Sequence, residues 1–161
     1  GMTGMGVHLT DLMIWLFGTV DKVFASTAKR ALKFKTGDVV TASLQHSSGL
    51  NTQITAILKT PHYQRVTIWG ENGWVELVDS SHPDTPGPSF MKMVMNDGTI
   101  KEENFEWTDT VSANIHNFID SIQGQSKYLF TDVEKFQNIS VLEAIYKSSL
   151  SKQNEKVESF D

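Results

Sequence analysis

At 161 residues the chain has the length of one domain, and 39% apolar with 20% charged residues is the make-up of a soluble globular protein. The net charge of -5, without a cluster of Lys and Arg, excludes an electrostatic footprint for nucleic acid or an anionic membrane. The lack of cysteine excludes a disulfide framework, a thiolate metal site and a cysteine nucleophile, and it fits a reducing, cytoplasmic setting.

The first predicted element is a helix with Leu9, Leu12, Met13, Leu16 and Phe17 on one stripe, stopped by Gly18. Its apolar run from Leu12 to Phe17 is too short to span a bilayer, and no charged-then-apolar signal segment precedes it. From Val20 to Trp107 the texture changes to short runs of Val, Ile, Thr and aromatics broken by turn residues, the signature of antiparallel strands. Lys29, Arg30, Lys33 and Lys35 alternate with apolar residues and read as the wet face of a strand. Residues 39–45 and 52–58 flank Ser47-Ser48-Gly49; residues 63–69 and 74–78 flank Glu71-Asn72-Gly73; residues 90–95 and 100–107 flank Asn96-Asp97-Gly98. Asn-Gly is the strongest short hairpin signal among these. Residues 80–89 hold three of the four prolines and read as a loop.

Two more helices follow. One runs over about 112–123, with Ile115, Phe118, Ile119 and Ile122 on one face, an N-cap from Asp109 or Ser112, and Gly124 closing it. The other runs over about 132–151, with Val133, Phe136, Ile139, Leu142, Ile145, Tyr146 and Leu150 on its apolar side. Thr131 or Asp132 caps it, and Glu134 falls where a capping box wants an acid. Strands grouped together with helices at the two ends predict an α+β fold with a mostly antiparallel sheet of six or seven strands.

Strand parity splits the Asn-Gly hairpin into two faces. Val66, Ile68, Val75 and Leu77 share one, expected under the helices; Tyr63, Trp69 and Trp74 share the other, beside Thr67 and Glu76. Three helices do not cover both sides of such a sheet. The aromatic face then either meets a second protein surface or is left partly solvated, with the Pro-rich loop as partial cover.

The N-terminal stretch is the richest in chemistry. Gly4 and Gly6 crowd the start of the first helix and permit close approach of a ligand or another backbone. His8 and Asp11, three apart, are neighbours on the helix surface, and an imidazole beside a carboxylate at a helix mouth can donate or accept a proton. Such a His is also, more often, structural. No G-x-G-x-x-G follows a strand, and no phosphate loop or nucleophile elbow is present. His46, His62, His82 and His116 lack metal-ligand spacing, so neither a metal site nor a cofactor site is expected in this chain. Asn138-Ile139-Ser140 matches a glycosylation pattern but lies inside a predicted helix.

The segment from Gly6 to Gly18, GVHLTDLMIWLFG, resembles the G-x-H-x-x-D-x-x-x-W-L-x-G stretch that opens the C-terminal domain of the Gfo/Idh/MocA dehydrogenases. Residues 66–77 resemble that family's hairpin with its G-x-x-G turn, and 117–122 with 141–149 resemble its last two helices. All occur in family order and together span nearly the whole chain.

The resemblance implies a large open antiparallel sheet with helices on one face, in the manner of the C-terminal domains of dihydrodipicolinate reductase and glyceraldehyde-3-phosphate dehydrogenase. It also implies that residues 1–161 form a single substrate-binding and oligomerisation domain, a homo-oligomer (a dimer or larger) through the open sheet face. The parent would be an oxidoreductase of a sugar, polyol or related small hydroxy compound. It would place a Rossmann domain with NAD or NADP and a catalytic lysine ahead of this one. By the same resemblance His8 is the catalytic proton-transfer residue, and Asp11, Gly4 and Gly6 lie on the substrate side. Asp11 equally orients His8 or stabilises the first helical turn. Many members carry an acid where this sequence has Gly4, so a proton relay or a substrate contact is expected to be missing. With no Rossmann half in these residues, the chain is expected to be inactive alone, as part of a longer protein or a truncated reading frame. The alternative reading is a non-catalytic assembly or regulatory subunit, or a remnant, that uses the sheet face alone.

Overall fold

The computed structural model describes residues 6–33, 37–79, 82 and 85–159. The chain folds as two compact units, Gly1–Lys59 with Phe130–Asp161 and, between them in sequence, Thr60–Leu129.

The first unit begins with helix α1, Val7–Phe17, which Gly18 terminates by donating its N–H to the Ile14 carbonyl. Strands β1 (Val20–Ala28), β2 (Val39–His46) and β3 (Asn51–Ile57) follow, and helix α3 (Asp132–Ser151) and the short β8 (Glu155–Lys156) complete the unit. Its sheet has the order β3-β2-β1-β8, antiparallel throughout. Period-two alternation sends Val23, Ala25, Val40, Ala42, Leu44, Ile54 and Ala56 to one buried face, while Lys22, Phe24, Thr41 and Gln45 face outward. α3 lies against β1, and α1 against α3. Helices therefore cover one face of this sheet, as expected. Lys29, Arg30 and Lys33 do not form a strand face; they follow the end of β1 in a loop, and Lys35 lies outside the described residues.

That loop has its own organiser. Asp38 is 1% exposed, and its carboxylate accepts hydrogen bonds from the backbone N–H groups of Arg30, Ala31 and Leu32 at 2.6–2.8 Å. Donors aimed at the ionised form pull its pKa down to about 2, the Arg30 N–H contributing most.

α3 turns an unexpected side to the sheet. Thr131 caps it in a full capping box with Glu134, and Lys152 ends it in the left-handed conformation. Yet the buried residues are Gln137, Asn138, Ser140, Val141, Ala144, Ile145, Ser148 and Ser149. Val133, Phe136, Ile139, Tyr146 and Leu150, expected on the core side, are exposed. Small and polar side chains let the helix sit close to β1 and serve its unpaired backbone groups. The Gln137 amide oxygen accepts from Val20 N–H (3.2 Å); the Ser148 hydroxyl accepts from Ala25 N–H (2.8 Å) and donates to the Gln153 carbonyl (2.6 Å). α1 behaves similarly: Thr10, Met13 and Ile14 are buried, while Leu16 of the expected stripe is exposed.

The second unit is a meander of β4 (Gln64–Gly70), β5 (Gly73–Asp79), β6 (Ser89–Met95) and β7 (Ile100–Phe105), ordered β4-β5-β6-β7, followed by α2 (Thr110–Ile122). The antiparallel α+β class thus holds, with the strands divided between two four-stranded sheets. Gly98, at φ 86°, completes a three-residue turn in which its N–H bonds the Met95 carbonyl. The Asn-Gly pair works differently from its expected role. Gly70 pairs with Gly73, so Glu71 and Asn72 make the loop and Gly73 belongs to β5. There φ is 153°, and a Cβ would lie 2.2 Å from the Val94 carbonyl oxygen; the glycine is required by the neighbouring strand β6. The register confirms the parity within the strands, with Val66 opposite Leu77, Ile68 opposite Val75, and Trp69 opposite Trp74, whereas Tyr63 precedes β4 and has no place on either face. Val66, Ile68 and Val75 are half-buried rather than sealed under helices, and Leu77 is exposed. α2 is capped by Asp109, whose side chain accepts from Ser112 N–H, and it buries none of its residues.

Candidate functional site

The residues singled out from the sequence lie at the start of α1. His8 is exposed and Asp11 half-buried, one helical turn apart. Gly6 is buried at the N-cap position and Gly4 lies outside the described residues. Burial raises the Asp11 pKa above the usual carboxylate value, the negative charge of Glu134 raises it further, and His8 opposes both. His8 and Asp11 are thus neighbours along α1, as their spacing predicts. Asp11 is the fifth residue of α1, one turn in from its start, and the first turn itself holds no acid.

Glu134 was legible only as a cap residue, and α3 brings its charge to Asp11. One turn further along α3, Asn138 is 9% exposed. Its side-chain amide donates to the Val7 carbonyl at 3.3 Å, and its oxygen accepts from the hydroxyl of the fully buried Thr10. The glycosylation pattern at Asn138 thus belongs to a side chain committed inside the fold. A signal was available: Asn138 stands three residues before Val141 and seven before Ile145, on their side of the helix.

The protein-family model described as "Oxidoreductase family, C-terminal alpha/beta domain", that of the Gfo/Idh/MocA proteins, matches residues 2–158. The chain belongs to this family. Among solved structures it is similar to the aldose-aldose oxidoreductase of Caulobacter crescentus complexed with glycerol, at 17% identity and a TM-score of 0.80, over 97% of this chain and 47% of that one. It is similar also to the WlbA dehydrogenase of Bordetella pertussis in complex with NADH and UDP-GlcNAcA, at 23% identity and a TM-score of 0.73, over 99% of this chain and 46% of that one. A third is an oxidoreductase of Agrobacterium radiobacter in complex with NAD+, L-tartaric acid and magnesium, at 14% identity and a TM-score of 0.69, over 97% and 48%. At these identities the likeness shows a shared fold. The chain spans about half the length of each of these structures. No curated protein matches it.

In this oxidoreductase domain the other histidines have local tasks. His46, 1% exposed, donates from Nδ1 to the Gly18 carbonyl at 2.9 Å, and its Nε2 is hydrogen-bonded to the Thr52 hydroxyl at 3.0 Å. Its ring meets Phe17 edge-on and ties the end of α1 to the β2–β3 hairpin. His116 is exposed on α2 and donates to the Ser112 carbonyl at 2.7 Å. His62 and His82 stack edge to face, and among the described residues no three ligating side chains gather as a metal site. Every strand pairing is antiparallel, so the described residues hold no parallel strand–turn–helix cradle for a dinucleotide. No described helix is long and apolar enough to cross a membrane.

Proposed function

We propose that this chain is the substrate-side domain of an NAD- or NADP-dependent oxidoreductase that acts on a sugar, polyol or related hydroxy compound. The observation that carries the reading is an exposed His8, one helical turn from the half-buried Asp11, at the head of the first helix of a domain the family model matches over residues 2–158. A bound nicotinamide supplies hydride chemistry, and its contacts fall to a Rossmann domain outside these residues. His8 accepts the hydroxyl proton when substrate is oxidised and returns it when a carbonyl is reduced. Asp11 orients the imidazole or meets a substrate hydroxyl, and Gly6 adds no side-chain bulk at the head of the helix. The complexes of the Bordetella and Caulobacter proteins with a sugar nucleotide and glycerol support the substrate class.

The sheet face bearing Trp69, which is 76% exposed, meets a second copy of the chain in this reading, together with Tyr63, 66% exposed, just ahead of β4. The deciding experiment for the site is His8→Asn in the enzyme joined to its nucleotide-binding half. A fall in kcat of about 10²- to 10⁴-fold is expected. Unchanged turnover, or tight stoichiometric NADH binding by these 161 residues alone, refutes the assignment.

A further inference from the structure

Among the described residues, α1 begins without the devices that normally hold a helix start. It has no side-chain cap hydrogen bond and no acid in its first turn, so its leading N–H groups gain little from their own segment. That turn nevertheless carries His8. What it has instead is a tertiary attachment from α3. Asn138 donates to the Val7 carbonyl and accepts from the Thr10 hydroxyl, so one side chain grips the residue immediately before His8 and the residue two beyond it. Both polar groups are buried, Thr10 fully, and an apolar pair of the same volume would fill the space without needing directional partners. Van der Waals packing tolerates rotation of a helix about its axis; two hydrogen bonds to one carboxamide do not. Glu134, one turn earlier on α3, acts on Asp11, so α3 meets α1 on the side that also carries the acid partner of His8.

We propose that Asn138 is a positioning residue for His8: its carboxamide fixes the rotation of the first turn of α1, and with it the direction in which the imidazole is presented. The inference rests on the reading of His8 as the proton-transfer group where catalysis is concerned, but its structural content is tested separately.

In this chain, Asn138→Ala is expected to shift the His8 imidazole cross-peaks and to speed amide exchange in the first two turns of α1 by about tenfold or more. The amides of Val23 and Val141 should keep their protection. Thr10→Val removes the hydroxyl while keeping the shape and should reproduce the His8 shift, and Thr10→Ser should restore it. That pair remains decisive if Asn138→Ala does not fold. In the whole enzyme, Asn138→Ala and Thr10→Val should lower kcat by about 10- to 100-fold with KM within about twofold, as displacement of a reacting group does.

Unmoved His8 signals and unchanged α1 exchange in both Asn138→Ala and Thr10→Val overturn the proposal. So does a kcat equal to wild type in an enzyme that His8→Asn inactivates. If His8→Asn itself leaves turnover intact, the functional reading falls, while the exchange and cross-peak results still decide whether Asn138 sets the helix turn.

Discussion

The two units of this chain use the same local construction and reach opposite degrees of burial. Each contains antiparallel strands joined by short glycine-containing turns, with registers that run without break apart from one irregularity in β1. In the first unit Val23 and Leu44 are wholly excluded from solvent. In the second, no described residue between 60 and 129 is fully buried, and α2 leaves Val111, Ile115 and Ile122 more than half exposed. The difference teaches that hairpin chemistry suffices for strand pairing and register, whereas a core requires a second layer that fits. α3 supplies that layer to the first unit by presenting Ala, Ser, Asn and Gln to β1.

The sharpest way to break this contrast is truncation of one aliphatic side chain in each unit. Leu44→Ala should cost about 2–5 kcal/mol in urea unfolding, because it removes a sealed side chain and leaves a cavity. Val75→Ala, at a half-buried site, should cost about 1 kcal/mol or less. A loss at Val75 as large as that at Leu44 would mean that its face is covered in solution.

Acid should act next, and on the first unit. The Asp38 carboxylate has its pKa lowered to about 2, so the stability it contributes is complete above its unfolded value of about 4. That contribution is lost as pH falls from about 4 through 2. Amide signals of Arg30, Ala31 and Leu32 should broaden over that window, and Asp38→Asn should abolish the pH dependence of the change. Titration of the loop only above pH 5 would contradict the assignment.

The smallest effect on stability is expected at Trp69. Trp69→Lys should leave the unfolding free energy of the monomer within about 0.5 kcal/mol, since the ring is 76% exposed. Sedimentation velocity should nevertheless move from a dimer or larger species to monomer. A wild-type chain that sediments as a monomer at high concentration removes the proposed interface.

Local signals in the chain were sufficient for much of this molecule. The strand runs, the turn residues around Gly49 and Gly98, the Gly18 stop and the Thr131–Glu134 capping box are each decided within a few residues, by backbone sterics and short-range hydrogen bonds. The ordered motifs beginning at Gly6 and His8 likewise carried the family. Which side of α3 faces the sheet was settled only in three dimensions. Hydrophobic periodicity favoured Phe136 and Ile139, but close approach to β1 and the unpaired N–H groups of Val20 and Ala25 selected Gln137, Val141 and Ser148. The pairing of β8 with β1, the division into two sheets, and the meeting of Asn138 with Thr10 across 128 positions of sequence also belong to tertiary structure. These depend on partners distant in sequence, and no local pattern of residues encodes which of them will meet.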